Sequence, residues 1–157
     1  MDTTGRIGLV SGGTDWASRL IVKVTGSPIH HAFIDCGDGT CVSAQPDGVK
    51  HMKVSDFPDV LWVEVGTLEQ RQAAAKFALT LVGEPYNDAA FVLAGLNSMG
   101  LVPEFVKPPL AIAVRPFGYI CSQLVDAAFY AAGLDLFPGP PAFVWPGELA
   151  RLMPEPL

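Results

Sequence analysis

Cysteine is scarce in this chain and badly placed for a disulfide framework. Three cysteines in 157 residues leave at least one unpaired within the chain. Cys36 and Cys41 flank Gly-Asp-Gly-Thr, and Cys121 stands far from both. The first two read as small strand residues, with a bridge across a hairpin as the alternative. Cations are few as well. Ten Lys and Arg against sixteen Asp and Glu give a net charge of −6, and the cations are scattered from Arg6 to Arg151 without a basic stripe. Nucleic-acid binding draws on clustered cations that release counterions, so nucleic acid is not an expected partner. No apolar run reaches the roughly 18 residues of a membrane span. The opening stretch, MDTTGRIGLVSGG, lacks the basic region, apolar run and cleavage site of a signal peptide. The expectation is a protein that stays inside the cell, or leaves by another route or inside a larger particle.

Apolar residues are abundant. Half the chain is hydrophobic and mean hydropathy is +0.34, which excludes disorder as the main state. With no spanning segment, that excess belongs in a core, a ligand groove or a contact surface. A contact surface would imply an oligomer, a larger assembly or a lipid-like substrate. The length suits one domain, 1–157, with its own core. No internal repeat, low-complexity tract or linker divides it.

Residues 5–10, GRIGLV, read as a strand. Asp15 is placed to cap a helix through about Val24, with Trp16, Leu20, Ile21 and Val24 as its apolar stripe. Residues 30–45 form the clearest hairpin, two half-apolar runs around Gly37-Asp38-Gly39. VLWVEV, 60–65, is almost continuously apolar and is expected to be a central strand. Thr67 and Gln70 make a capping box for a helix through about Val82, with Ala74, Phe77, Ala78 and Leu81 on one face. A second helix is expected over 86–100, capped by Asn87 or Asp88, and an irregular wall over 101–116, which holds four prolines. A helix from about Tyr119 to Ala132 stops at Gly133, and Pro146 starts a short last helix ending near Leu152. The whole predicts an α+β domain, an antiparallel sheet packed against helices.

Cys121 is the candidate nucleophile. Its face, shared with Leu124, Val125, Ala128 and Ala132, also suits a buried structural thiol. Its position in the first helical turn favours an anion, because unpaired N–H groups and the helix dipole lower a thiol's pKa there. The same N–H groups would stabilise an oxyanion after attack on a carbonyl. The only histidines are His30, His31 and His51. His30 and His31 are adjacent on a strand and so point to opposite faces, one of which must receive the helix. His30, His31, Cys36 and Cys41 fit no standard zinc spacing, so neither a metal nor another cofactor is expected.

Three stretches, SPIHHAFIDCGDG, CVSAQPDGV and YICSQLVDAAFYAAGL, resemble the circularly permuted papain-like branch of the NlpC peptidase superfamily. That branch includes lecithin–retinol acyltransferase-like enzymes. The likeness implies a permuted papain-like fold, with the nucleophile at the N-terminus of a C-terminal helix. It implies Cys121 as nucleophile and His31 as base, because His31 precedes Gly37 by six residues. The family's orienting residue on the return strand falls at Ser43, a departure from the usual His or Glu. With a three-residue hairpin loop, Gln45 lies across from His31 on the face of Ser43 and its carbonyl would accept the ring N–H. With a two-residue loop, both face away. Tyr119 is a candidate donor to the oxyanion or leaving group, or an aromatic packed at the helix start.

The leading expectation is a cysteine hydrolase, an amidase or peptidase acting on a peptide or cell-wall substrate, or an enzyme of acyl transfer acting on an acyl lipid. The alternative is a binding or assembly module that keeps the fold without turnover, as in a secretion or viral particle.

Overall fold

The computed structural model describes residues 2–13, 19, 22–23, 26–88, 96–97, 99–106, 118–138 and 144–153. The architecture is α+β: among the described residues, a five-stranded antiparallel sheet is packed with three helices. The strands are β1 (Ile7–Ser11), β2 (Ile29–Asp35), β3 (Thr40–Gln45), β4 (Gly48–Lys53) and β5 (Val60–Val63). Their order across the sheet is β4-β3-β2-β1-β5. The helices are α1 (Leu68–Thr80), α2 (Cys121–Ala131) and the single turn α3 (Pro146–Leu149).

The hairpin of β2 and β3 takes the three-residue loop. Ile34 pairs with Val42 and Asp35 with Cys41, and Cys36 N–H donates to Thr40 O at 2.9 Å. Gly37 and Gly39 both hold positive φ in that loop. Past Ile34 the ladder between these strands is no longer formed. The next connection, Pro46-Asp47, is a tight turn, since Gln45 pairs directly with Gly48. Its strand β4 carries Lys50, His51 and Lys53, so it lacks the apolar signal that marks the others.

The expectation that VLWVEV is central is corrected. β5 is an edge strand beside β1. Its apolar character comes from cover on both faces. Val63 and Leu61 pack into the larger core, while Val60 and Trp62 pack on the opposite side against Val10 and Phe33. Burial of both faces, not a central position, makes such a run.

The larger core lies between the sheet and helices α1 and α2. It holds Ile7, Leu9, Ala32, Ile34, Val42 and Ala44 from the sheet, with Leu124, Val125, Ala128 and Phe129 from α2. A smaller cluster of Val10, Phe33 and Cys41 lies on the other face, covered by Phe57 and Trp62. Thr67 Oγ1 accepts from Gln70 N–H at 3.2 Å while Gln70 Oε1 accepts from Thr67 N–H at 2.9 Å, closing the capping box of α1. Ala74 and Ala78 are buried on its inner face, as the spacing predicts.

Arg19, Val22 and Lys23 are helical, but the proposed cap and stripe, Asp15, Trp16, Leu20, Ile21 and Val24, lie outside the described residues. In the 86–100 segment Asp88, Leu96 and Asn97 are helical, and 89–95 and 98 lie outside the described residues. So do 107–116 of the proline-rich wall; within 101–106, Glu104–Val106 is a 3-10 turn. No helix among the described residues is long and apolar enough to cross a membrane.

Candidate active site

Cys121 is the first residue of α2, and Ile120 before it is extended, with φ −90° and ψ 166°. The turn into the helix is stitched from both sides. Ser122 Oγ donates to Val144 O at 2.6 Å, and Gln123 Oε1 accepts from Ile120 N–H at 3.5 Å. Asn87, fully buried, donates its side-chain amide to Gly118 O at 3.1 Å and its backbone N–H to Tyr119 O at 3.2 Å. Tyr119 N–H donates to Pro85 O at 3.1 Å. The segment before α2 is therefore pinned to residues 85–87.

The Cys121 sulfur sits in the larger core, only 5% exposed. Burial pushes its thiol up to about 11, against hydrogen bonds from the backbones of Ala32, Ser122 and Cys121 itself, which pull it down. Hydrogen bonds that lower an acid's pKa favour its anion, so the backbone here works against burial. The helix start supplies the donors that the sequence predicts. It does not supply a resting thiolate, because desolvation among aliphatic neighbours outweighs them.

His31, Ser43 and Gln45 come together. Ser43 Oγ lies 2.7 Å from His31 Nε2 and accepts from Gln45 Nε2 at 2.9 Å. Gln45 Nε2 is itself 3.3 Å from the ring nitrogen. The amide nitrogen of Gln45, rather than its carbonyl, faces the imidazole, because Ser43 Oγ takes its hydrogen. With His31 Nε2–H donating to Ser43, Nδ1 carries the lone pair that a base needs. A serine this close to an imidazole has the spacing of a nucleophile and its base, yet Ser43 is fully buried and cannot meet a substrate. Burial first, then the neighbouring His30 charge, lowers the His31 ring to about 4, so it is neutral at pH 7.

The imidazole of His31 stacks on Phe57, with ring centroids 5.5 Å apart, and Phe57 stacks on Phe33 at 4.8 Å. His31 thus belongs to the face of the smaller cluster. Ala32, the next residue, packs in the larger core with Cys121. The sulfur and the His31 ring both lie along this stretch of β2, and no hydrogen bond joins them. A β-bulge lies beside this stretch, where Val10 faces His31 but Ser11 faces Ile29, leaving His30 as the additional residue.

Tyr119 is half-buried beside the helix start, and it forms a parallel bridge with Tyr86. Tyr86 is the residue that sequence reasoning missed. Burial and the nearby Cys121 sulfur push its phenol far above the usual range. Its only local signal was its place in GEPYND, which gives no hint that it meets Cys121. Cys36 and Cys41 are free thiols, both raised chiefly by burial, Cys41 to about 12. Among the described residues no group of three or more His, Cys, Asp or Glu is placed to hold a metal ion. No protein-family model and no curated protein matches the chain.

Proposed function

We propose that the protein is a cysteine hydrolase of the permuted papain-like type, with Cys121 as its nucleophile. The observation that carries this reading is the place of Cys121 as the first residue of α2, packed in one core with Ala32, the residue after His31. A first-turn position offers unpaired backbone N–H groups to a thiolate and to the oxyanion formed beside it. An imidazole of β2 takes the Cys121 proton. The sulfur attacks an amide or ester carbonyl, the imidazolium returns the proton to the leaving group, and water releases the acyl group from sulfur. The substrate class is a peptide, as in a cell wall, or an acyl lipid.

The resemblance implies His31 as the base, supported by its Ser43 and Gln45 partners. His30 is the second candidate, because it is the extra residue of the bulge beside Ala32, which packs in the core with Cys121. A second reading, a binding or assembly module, draws on the neutral thiol and neutral ring of the resting site.

The test is incubation with peptidoglycan fragments and acyl-ester lipids, wild type beside Cys121→Ala, with products read by mass spectrometry. Products that vanish with the sulfur support the hydrolase. Products that persist in Cys121→Ala exclude it, and no product from either protein favours the module. Where products form, His30→Ala and His31→Ala identify the base.

A further inference from the structure

Asp126 lies in the middle of α2, and the candidate active site gives it no role. It is only 1% exposed, and among the described residues its Oδ1 has no hydrogen-bond partner. Ser122, one turn earlier on the same helix face, donates to Val144 O at 2.6 Å. That face of α2 therefore receives the segment 144–149, whose Leu149 is fully buried in the larger core. The segment brings a second carboxylate, Glu148, whose Oε2 accepts from Trp145 N–H at 2.8 Å. Asp135, in the loop after α2, brings a third. The charges that act on Asp126 are those of Asp135 and Glu148. The other elements packed on α2 do not offset them. On the inner face of α1 the buried cation is Arg71, and it is paired with Glu64 at 2.6 Å. On β2 stand His30, His31 and Asp35, with Asp35 held by Arg6 at 3.0 Å. Cys41 of β3 belongs to the smaller cluster, and Arg151 beyond α3 is exposed.

We propose that Asp126 is a proton-operated latch: its protonated carboxyl lets the 144–149 segment seat against α2, and its ionised form drives that segment off the helix. This inference does not depend on the hydrolase reading. An ionised carboxylate at this place is buried, has an oxygen without a donor and faces two further carboxylates. Either its proton stays or water reaches it. Water reaches it most easily by moving 144–149, because α3 is a single turn followed by a 3-10 turn, whereas α1 and the sheet are held by long ladders of backbone bonds. Burial, then Asp135 and Glu148, hold the Asp126 proton up to about 7 against an ordinary 3.8. Lifting the segment removes that hold, so lifting becomes easier as pH rises from about 4 to 7. The bond lost with it, from Ser122 to Val144, is one of those that brace the first turn of α2.

The test is hydrogen–deuterium exchange of peptides covering 144–153 at pH 5 and pH 8, with rates corrected for the intrinsic pH dependence of amide exchange. In the wild type the protection of this segment is expected to fall roughly 10- to 100-fold between the two, as linkage requires of a proton held more tightly in the seated state. Protection of α1 is expected to stay level. Asp126→Asn keeps the shape and cannot ionise, so its 144–153 segment is expected to be equally protected at both pH values. A wild-type segment equally protected at pH 5 and pH 8 overturns the proposal. An equal fall in Asp126→Asn also overturns it, since the proton then sits elsewhere. So does an equal fall in α1, which would mean that the whole domain loosens. Should Asp126→Asn not fold, the double variant Asp135→Asn/Glu148→Gln decides. Its glutamine keeps an acceptor for Trp145 N–H, and without the two charges the fall is expected to shrink. An unchanged fall overturns the proposal.

Discussion

His31 Nε2 and Ser43 Oγ lie 2.7 Å apart, across a hairpin whose backbone ladder has already ended at Ile34 and Val42. Side chains, not main-chain bonds, hold β2 and β3 together at this level. Ser43 is fully buried and also accepts from Gln45. Ser43→Ala removes the oxygen that serves both partners. We expect a loss of about 1–3 kcal/mol in urea unfolding, the range for a buried polar group left without its partner. A loss below about 0.3 kcal/mol would show that the network does not brace the strands.

Two buried groups make stability depend on pH in opposite directions. His31 is lowered from 6.5 to about 4 by burial and then by His30. The unfolded chain binds its proton more readily, so this contribution is complete above about 6.5 and is lost as pH falls through 4. Asp126 is raised from 3.8 to about 7 by burial, then by Asp135 and Glu148. Here the folded chain holds the proton more tightly, so stability falls as pH rises from about 4 to 7. Wild-type stability is therefore flattened between pH 4 and 6.5. Asp126→Asn is expected to unmask a rise with pH in that window, and His31→Gln a fall. Parallel pH–stability curves for the two variants would contradict both assignments.

Gly118 has φ +106°, and a Cβ on it would stand 1.8 Å from Pro85 O. The contact is with backbone, so no side chain can give way. Gly118→Ala must part the 85–87 segment from the entry to α2. Left-handed strain alone costs on the order of 1–3 kcal/mol, and the clash adds to it. We expect a lower melting temperature by calorimetry, together with faster iodoacetamide labelling of Cys121 as its cover opens.

The thiol of Cys121, at about 11, stands well above an ordinary cysteine. In the folded protein its alkylation at pH 7.5 should run on the order of 100-fold slower than for a free thiol, for which the pKa is about 8.5. The rate should then climb about tenfold per pH unit towards 11. A plateau below pH 8, measured peptide by peptide in the mass spectrometer, would mean that the resting site holds a thiolate after all.

Local features were legible because neighbours in sequence produce them. Thr67 and Gln70 close their box within a single turn. Gly37-Asp38-Gly39 marks the hairpin through its own backbone freedom, while the three-residue length that puts Gln45 on the face of His31 is fixed by strand pairing. The helix of Cys121 was legible too, although it starts at Cys121 rather than at Tyr119, since Tyr119 is held in a bridge with Tyr86. β4 was not legible, since its strand is specified by pairing with β3 rather than by its own pattern. The edge position of β5 was hidden for the converse reason: its apolar run reports cover on both faces and says nothing about the number of strand neighbours.

By itself the amino-acid sequence determined the α+β class, the presence of the hairpin and the placing of a cysteine on the first turn of a helix. Each depends on spacing within a few residues. Only the tertiary structure decided that this cysteine rests as a thiol, that His31 turns towards Phe57, and that Tyr86 packs against the core of Cys121 from thirty-five residues away. Desolvation sums over every chain segment packed around a group, and the face a side chain takes beside a bulge depends on both paired strands. Neither quantity exists until the chain has folded.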